Sequence, residues 1–479
     1  MRLLYIHPPL INPTNTDDID KGILKCPAYT AFPPLGIAYL AAVSERMGHE
    51  CKVYDLNVEE WPGEDAISAW KPDLILLSSM SPQYRSAKIV MKKLQGIAPI
   101  VIGGAHASIL GKKLLEDDDF VDIVAVKEGE NTIRHLLNNY PDNLDKVPGI
   151  CYRKDETIRD NGDPEWVVDL DALPFPAWHH FNIESYDNQY RGRHCLTMIS
   201  SRGCPYDCLY CYKNIFDIKV RMRSPQSIYD EIKYFNDKYN VTAIQFQDDL
   251  FTVRKKRVEG FCDLMVENKM DVIWRCLTRA DHMSHDFLVG MKKGGCVSIA
   301  FGIESGNQEV VNGVGKRLRL KYVEQCIKDC RKVGIETKGY YMIGLPNENE
   351  DQVNDTIAFA KKNRTDHMQF TVPVAFPGTK LWEMAKEKNM AVEDHVETFT
   401  WDQDKPPLSF SPDLTPEDIQ RLVLKARQLD YYSRIWRQIK NAKVTEYPYL
   451  GYRAVRKLSR IVMLQKGTVL HSRLQRLRG

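Results

Sequence analysis

Apolar residues fall along this chain in two rhythms that alternate. Short, nearly continuous apolar runs at 2–7, 51–55, 73–79, 100–103 and 123–127 are expected to be strands. Between them, 35–47, 63–70, 83–94, 108–115 and 130–139 place apolar residues at helical spacing. A run such as Leu74-Ile75-Leu76-Leu77 has no polar alternation, which is the pattern of a parallel sheet covered on both faces. Strands alternating with helices predict a doubly wound, Rossmann-like α/β domain over residues 1–140, whose ligands bind beyond the carboxyl ends of the strands. The rhythm stops at 141–190, where Pro, Asp and Trp predict an ordered connector with proline turns. It resumes over 191–400, with strands expected at 196–201, 241–247, 272–277, 297–303, 337–343 and 367–375. The matching helices are expected at 224–238, 254–267, 286–293, 320–333, 350–361 and 379–388. Six βα units are too few to close an eight-stranded barrel. A partial (βα)6 barrel is predicted, with its chemistry at the C-terminal ends of its strands. Residues 401–479 are expected to be a basic helical region, and Thr415-Pro416-Glu417-Asp418 is a helix start.

Composition narrows the class. The 479 residues are 43% hydrophobic and 27% charged, which suits a globular chain of two or three domains. No run approaches the roughly 18–20 apolar residues that span a bilayer. The first eight residues, broken by Pro8, read as a strand and not as a signal peptide. Twelve scattered cysteines do not suggest a disulfide framework, and a reducing cytoplasm is expected. The net charge of +2 hides an asymmetry: from Arg421 onward 15 Lys and Arg face two acids, beside an acidic body. A basic amphipathic tail can lie on an anionic membrane surface; the other reading is a helical lid with a solvated basic face. No nucleic-acid-binding module is visible.

The strongest chemical signal is Ser200-Ser201-Arg202-Gly203-Cys204-Pro205-Tyr206-Asp207-Cys208-Leu209-Tyr210-Cys211-Tyr212, with cysteines at i, i+4 and i+7. Three thiolates from one loop suit a [4Fe–4S] cluster that keeps one iron open for a non-protein ligand. A structural zinc site would want its fourth position closed. Cys326 and Cys330, i and i+4 on an expected helix, read as buried small hydrophobes rather than a second cluster.

The CxxxCxxC spacing, with Tyr210 before the third cysteine, resembles the signature of radical S-adenosylmethionine enzymes. That resemblance implies a cluster on Cys204, Cys208 and Cys211, with S-adenosylmethionine on the open iron. Later strand ends extend it: Gln247-Asp248-Asp249, Arg279, Gly302-Ile303-Glu304-Ser305-Gly306, Tyr341-Met342-Ile343-Gly344 and Ala375-Phe376-Pro377-Gly378. It implies S-adenosylmethionine contacts from Tyr210, Asp248, Asp249, Arg279, Glu304, Ser305, Ile343 and Gly344. For the aspartates a helix or loop cap is the other reading. The first domain lacks GxGxxG after its first strand and has no GxxxxGK[ST], which argues against a dinucleotide or a P-loop nucleotide.

Its loops resemble the cobalamin-binding domain that precedes many radical S-adenosylmethionine enzymes. Pro33-Pro34-Leu35-Gly36 and Gly48-His49-Glu50 match as well. The implied cobalamin contacts are Ser78, Ser79, Ser81, Gly103, Gly104, His106, Ser108, Glu128, Gly129 and Glu130. There is no Asp-x-His-x-x-Gly, so the resemblance is to the branch whose lower axial position carries no histidine, with His106 a hydrogen-bonding residue. The family implies methylation of an unactivated carbon of a small-molecule or lipid-like substrate, through methylcobalamin and a 5′-deoxyadenosyl radical, with flavodoxin or ferredoxin as electron donor. The alternatives are oxidative cyclisation or ring rearrangement with the same cofactors and, from another class, a cobalamin-dependent sensor or binding module.

Overall fold

Strand β1 (Arg2–His7) is apolar on both faces and buried at its centre, and it pairs in parallel with β2 (Glu50–Asp55) on one side and β3 (Leu74–Ser78) on the other. In this computed structural model, which describes residues 1–10, 32–186, 188–390 and 407–441, the sheet continues through β4 (Ile100–Gly103) and β5 (Ile123–Ala125). Helices α1 (Leu35–Arg46), α2 (Glu64–Trp70), α3 (Tyr84–Leu94), α4 (Ala105–Leu110), α5 (Lys113–Asp117) and α6 (Gly129–Asn139) connect these strands and follow the last of them. The helix expected at 108–115 is two short ones, broken at Gly111.

The sheet also runs past residue 140. β6 (Ile150–Lys154) and β7 (Thr157–Asp160) extend it antiparallel, in the order β2-β1-β3-β4-β5-β6-β7. The stretch expected to be pure connector thus supplies two strands. β6 buries Ile150, Cys151 and Tyr152, whereas β7 is an exposed edge, where charged side chains discourage pairing with another chain.

The rest of the connector is packed between the sheets. Trp178 is fully buried, with Phe181 and Phe235 rings 5.7 and 6.3 Å away. One core therefore runs from Tyr5 and Leu76 through Trp178 and Tyr186 into the second sheet at Leu196 and Trp274.

The second sheet begins with a hairpin of β8 (Gln189–Tyr190) and β9 (Arg193–Met198). A small antiparallel pair, β10 (Ser201–Arg202) and β11 (Arg221–Met222), frames residues 203–220. Parallel βα units follow: α7 (Pro225–Tyr239), β12 (Ala243–Phe246), α8 (Lys255–Glu267), β13 (Ile273–Thr278), α9 (His285–Lys293) and β14 (Cys296–Glu304). Next come α10 (Gln308–Gly313), α11 (Leu320–Val333), β15 (Glu336–Met342), α12 (Glu350–Lys362), β16 (His367–Thr371) and α13 (Lys380–Glu387). The order β16-β15-β14-β13-β12-β9-β8 gives the expected six parallel strands plus one antiparallel edge, an open partial barrel.

Helix α14 (Pro416–Asn441) covers the other edge. Asp430 accepts a bond from the Met368 N–H at 3.0 Å, Arg427 Nε donates to the Phe370 carbonyl at 3.1 Å, and Ile419 and Leu422 are fully buried. Side chains here satisfy backbone groups that a seventh parallel strand would otherwise meet. The basic tail therefore begins as a barrel cap; its remaining part, 442–479, lies outside the described residues. Among the described residues no helix is long and apolar enough to cross a membrane.

Candidate active site

The cysteine loop leaves the carboxyl end of β9 and is stitched down on two sides. The Leu209 N–H donates to the Val314 carbonyl at 3.1 Å, and the Leu209 carbonyl accepts from the Leu381 N–H at 3.0 Å. A bond from the Cys211 N–H to the Cys208 carbonyl, 3.1 Å, makes the turn between those two thiols. All three cysteines are free, Cys204 and Cys208 half-buried and Cys211 exposed. Burial, then the neighbouring Cys208 and Asp249, push the Cys211 thiol up to about 12; burial raises Cys204 as well, with Asp249 and Cys208 adding. Without metal these groups are thiols, so ligation must displace their protons. Cys211 and Asp249 are both exposed. Three thiols on one braced loop fit a cluster that leaves an iron open.

The strand ends around this loop are partly self-satisfied. Asp248 is buried and accepts the Ser200 N–H at 2.7 Å and the Ser200 and Ser201 hydroxyls at 2.6 and 2.5 Å, with Arg257 3.9 Å away. Its carboxylate holds the start of the cysteine loop and is closed to a ligand, whereas Asp249 is exposed. Arg279 donates to the Lys316 carbonyl at 2.8 Å and to Asp281, and its guanidinium lies 3.7 Å from the centre of the Tyr206 ring.

Glu304 sits at a break in the β14–β15 register with a left-handed φ of 68°. Its buried carboxylate meets Lys316 Nζ at 2.7 Å. A Cβ on Gly302 would lie 2.1 Å from Glu304 Oε1 and 2.7 Å from Lys316 Nζ, so a larger residue there would displace the ends of this pair. The Tyr210 hydroxyl is buried beside Glu304 and Cys208; burial first, then these two neighbours, oppose its ionisation. Ser305 bonds Thr356 at 2.8 Å and supports the turn. Ile343 continues the ladder through its N–H to the Thr371 carbonyl, 2.9 Å. The Gly344 N–H donates to Glu348 Oε2 at 2.8 Å; Glu348 Oε1 is buried without a partner, and burial pushes this carboxyl up to about 7.

In the first domain the loops after β3 and β4 touch. Gly104 has φ 93°, and a Cβ there would lie 2.8 Å from Ser78 Oγ and from the Ser79 backbone N and O. The Ser79 N–H donates to the Gly103 carbonyl at 3.1 Å, and the Ser79 carbonyl accepts from the His106 N–H at 3.1 Å. His106 is fully buried, bonded through Nδ1 to Ser81 Oγ at 3.1 Å and packed on the Tyr84 ring, while its Nε2 has no partner. Burial, with Lys88 adding, pushes this imidazole down to about 4, so it is neutral at physiological pH. Ser108 Oγ donates to the Gly104 carbonyl at 2.8 Å and accepts the Lys127 N–H at 2.7 Å. This tight cradle, with an unpartnered buried imidazole nitrogen behind it, fits a large group laid against the strand ends.

The loop after β5 does something the sequence did not reveal. Glu128 and Glu130, expected beside a cofactor, turn into the domain interface. Arg202 meets Glu128 Oε1 at 2.5 Å and Glu130 Oε1 at 2.6 Å, and Arg221 meets Glu128 Oε2 at 2.6 Å. All four side chains are buried. Gly129 packs against Leu40. Arg202 lay inside the motif, but a partner some seventy residues upstream cannot be read from local pattern; Lys316 and Glu348, whose partners are 12 and four residues away, also escaped notice. Finally, the Tyr212 hydroxyl donates to the Ser108 carbonyl at 2.9 Å. The residue after Cys211 thus touches α4, the helix that opens after Gly104.

Fold and site together define a two-domain α/β protein in which a three-thiol loop on a partial barrel meets the strand ends of a doubly wound domain. The B12 binding domain model matches residues 23–137 and the Radical SAM superfamily model matches residues 198–360. The chain belongs to the cobalamin-dependent radical S-adenosylmethionine enzymes, whose cofactors are cobalamin, a [4Fe–4S] cluster and S-adenosylmethionine. It is 28% identical to an uncharacterized methyltransferase of Pyrococcus horikoshii over 96% of this chain and 98% of that one. It is 29% identical to the cytidylyl-2-hydroxyethylphosphonate methyltransferase of Streptomyces wedmorensis over 71% and 75%. Its fold matches that of TsrM, a radical S-adenosylmethionine methyltransferase from Kitasatospora setae, with a TM-score of 0.70, 15% identity and 89% of each chain covered.

Gly104→Ala is expected to lower stability by about 1–3 kcal/mol, because the methyl group meets backbone atoms in a left-handed conformation. It should also reduce cobalamin retention. Thermal unfolding and the absorbance of desalted, cobalamin-treated protein check both effects.

Proposed function

We propose that the enzyme transfers a methyl group to an unactivated carbon of a small, apolar or lipid-like molecule. The observation that supports this reading is the Tyr212–Ser108 hydrogen bond, which holds the segment after Cys211 against α4, the helix that follows Gly104. Methyl transfer of this kind needs the radical-generating and methyl-bearing centres to reach one carbon, and fixing that geometry is the protein's main contribution. The methyltransferase relatives, whose matches extend over both domains, support the same reading.

When bound, the cluster with S-adenosylmethionine supplies a carbon-centred radical and cobalamin supplies the methyl group. In this reading Cys204, Cys208 and Cys211 hold the cluster. Asp249, and not the enclosed Asp248, meets the ammonium of S-adenosylmethionine. Glu304, preset by Lys316, accepts from its ribose hydroxyls, and Arg279 braces the loop through Tyr206. Ser78, Ser79, Gly104 and Ser108 form the cobalamin cradle, and His106 stays neutral behind it. The reductant is a small protein such as flavodoxin or ferredoxin, and the enzyme works in the cytoplasm.

Anaerobic reconstitution with iron, sulfide and hydroxocobalamin, then incubation with S-adenosylmethionine and reductant, tests this by mass spectrometry. 5′-Deoxyadenosine together with S-adenosylhomocysteine and a mass gain of one methyl on a candidate substrate is the expected result. 5′-Deoxyadenosine without S-adenosylhomocysteine would favour cyclisation or rearrangement. A fully loaded protein that yields neither product would leave a binding module.

A further inference from the structure

The connector carries a side-chain cluster that the cofactor chemistry does not use. His179 Nε2 and His180 Nε2 lie 3.0 and 2.6 Å from one oxygen, Glu45 Oε1. The two imidazole rings are 4.4 Å apart. Among the described residues this is the one group of three His, Cys, Asp or Glu side chains whose ligating atoms all lie within 4.8 Å of one another. We propose that Glu45, His179 and His180 form a binding site for a divalent transition-metal ion of borderline softness, with zinc as the type ion, that staples α1 of the cobalamin domain to the connector.

The donor set selects the ion class. Two imidazole nitrogens and one carboxylate oxygen suit zinc and its first-row neighbours. Calcium and magnesium take oxygen ligands and would reject two imidazoles. Exposure fits a three-ligand site completed by water: the side chains of Glu45, His179 and His180 are 31%, 46% and 16% exposed. His179 also lines a cavity of about 770 Å³.

The framework is already fixed. Glu45 sits in the last turn of α1, and the Ala177 N–H donates to the Ala38 carbonyl at 3.0 Å. Arg46 donates to the Ala172 carbonyl at 2.8 Å. The ligands therefore project from two segments held together on both sides, the preorganisation that a metal site needs. The two adjacent histidines are visible in the sequence, but their acidic partner is 134 residues away from the nearer one.

The test uses the full chain loaded anaerobically with cluster and cobalamin, so that the three loop cysteines are occupied. The protein is incubated with excess zinc sulfate and desalted, and retained zinc is measured by mass spectrometry and X-ray absorption. The expected result is about one zinc per chain with nitrogen and oxygen scatterers and imidazole outer shells. The double variant His179→Ala/His180→Ala, and separately Glu45→Gln, should weaken retention by at least about tenfold. No retained zinc in the unaltered chain would overturn the proposal and leave two imidazoles hydrogen-bonded to a carboxylate. Sulfur scatterers, or equal zinc in the double variant, would overturn it as well. The measurement on the unaltered chain does not depend on any variant folding.

Discussion

Cys204→Ala, Cys208→Ala and Cys211→Ala are each expected to abolish cluster retention and reduce 5′-deoxyadenosine formation to background, while cobalamin binding survives. The three thiols stand on one loop, and a cluster that loses one of three protein ligands loses the hold that keeps it on an exposed loop. The loop itself should persist. Its bonds to Val314 and Leu381 are made by the Leu209 backbone and not by cysteine side chains, so each substitution should change stability by less than about 1 kcal/mol. The cobalamin cradle depends on Gly104 and Ser78, in the other domain. Iron and sulfide content, thermal unfolding and cobalamin absorbance on the same preparation check all three statements. A variant that keeps full iron and full product would end the assignment of its cysteine.

The legible parts of this molecule were those whose cause is local. Parallel strands buried on both faces must be continuous apolar runs, and β1, β3, β4 and β14 are. The cysteine loop was legible because spacing within seven residues decides which thiols one turn can present. What stayed hidden depends on distant partners. β7 is the edge strand and buries none of its residues, and β6 offers only the short run Ile150-Cys151-Tyr152 before turning polar. Asp248 and Asp249 are adjacent and chemically identical, yet Ser200, Ser201 and Arg257 enclose one and leave the other open. Glu128 and Glu130 follow a strand end where ligands commonly bind, but two arginines of the next domain reach them first. Local pattern locates strand ends; it does not say which of their polar groups the protein itself has already satisfied.

The interface formed by those arginines leads to the second large effect. Arg202→Met should destabilise the protein by about 3–5 kcal/mol, because it leaves Glu130 buried and without its cationic partner while Glu128 keeps Arg221. The sign of the pH dependence follows from Glu130. In the native protein burial alone would raise its carboxyl, but Arg202 overrides burial and holds it below the usual carboxylate range. A depressed carboxyl contributes stability that is present above the ordinary value and lost as pH falls through the folded one. Without Arg202, burial dominates and Glu130 becomes a proton-holding group, so the variant loses stability as pH rises past the ordinary value. The gap between the native chain and the variant should therefore be wider at pH 8 than at pH 5 in urea unfolding. Arg202→Lys keeps the charge but not the fork that meets two carboxylates, and should fall between. Arg202→Met/Glu130→Gln removes both charges and should recover part of the loss. Arg202 lies two residues before Cys204, so Arg202→Met should also retain iron yet form less product, as the two domains lose their fixed alignment. A pH-independent gap of under about 1 kcal/mol would mean that the four buried charges do not act as the bolt between the domains.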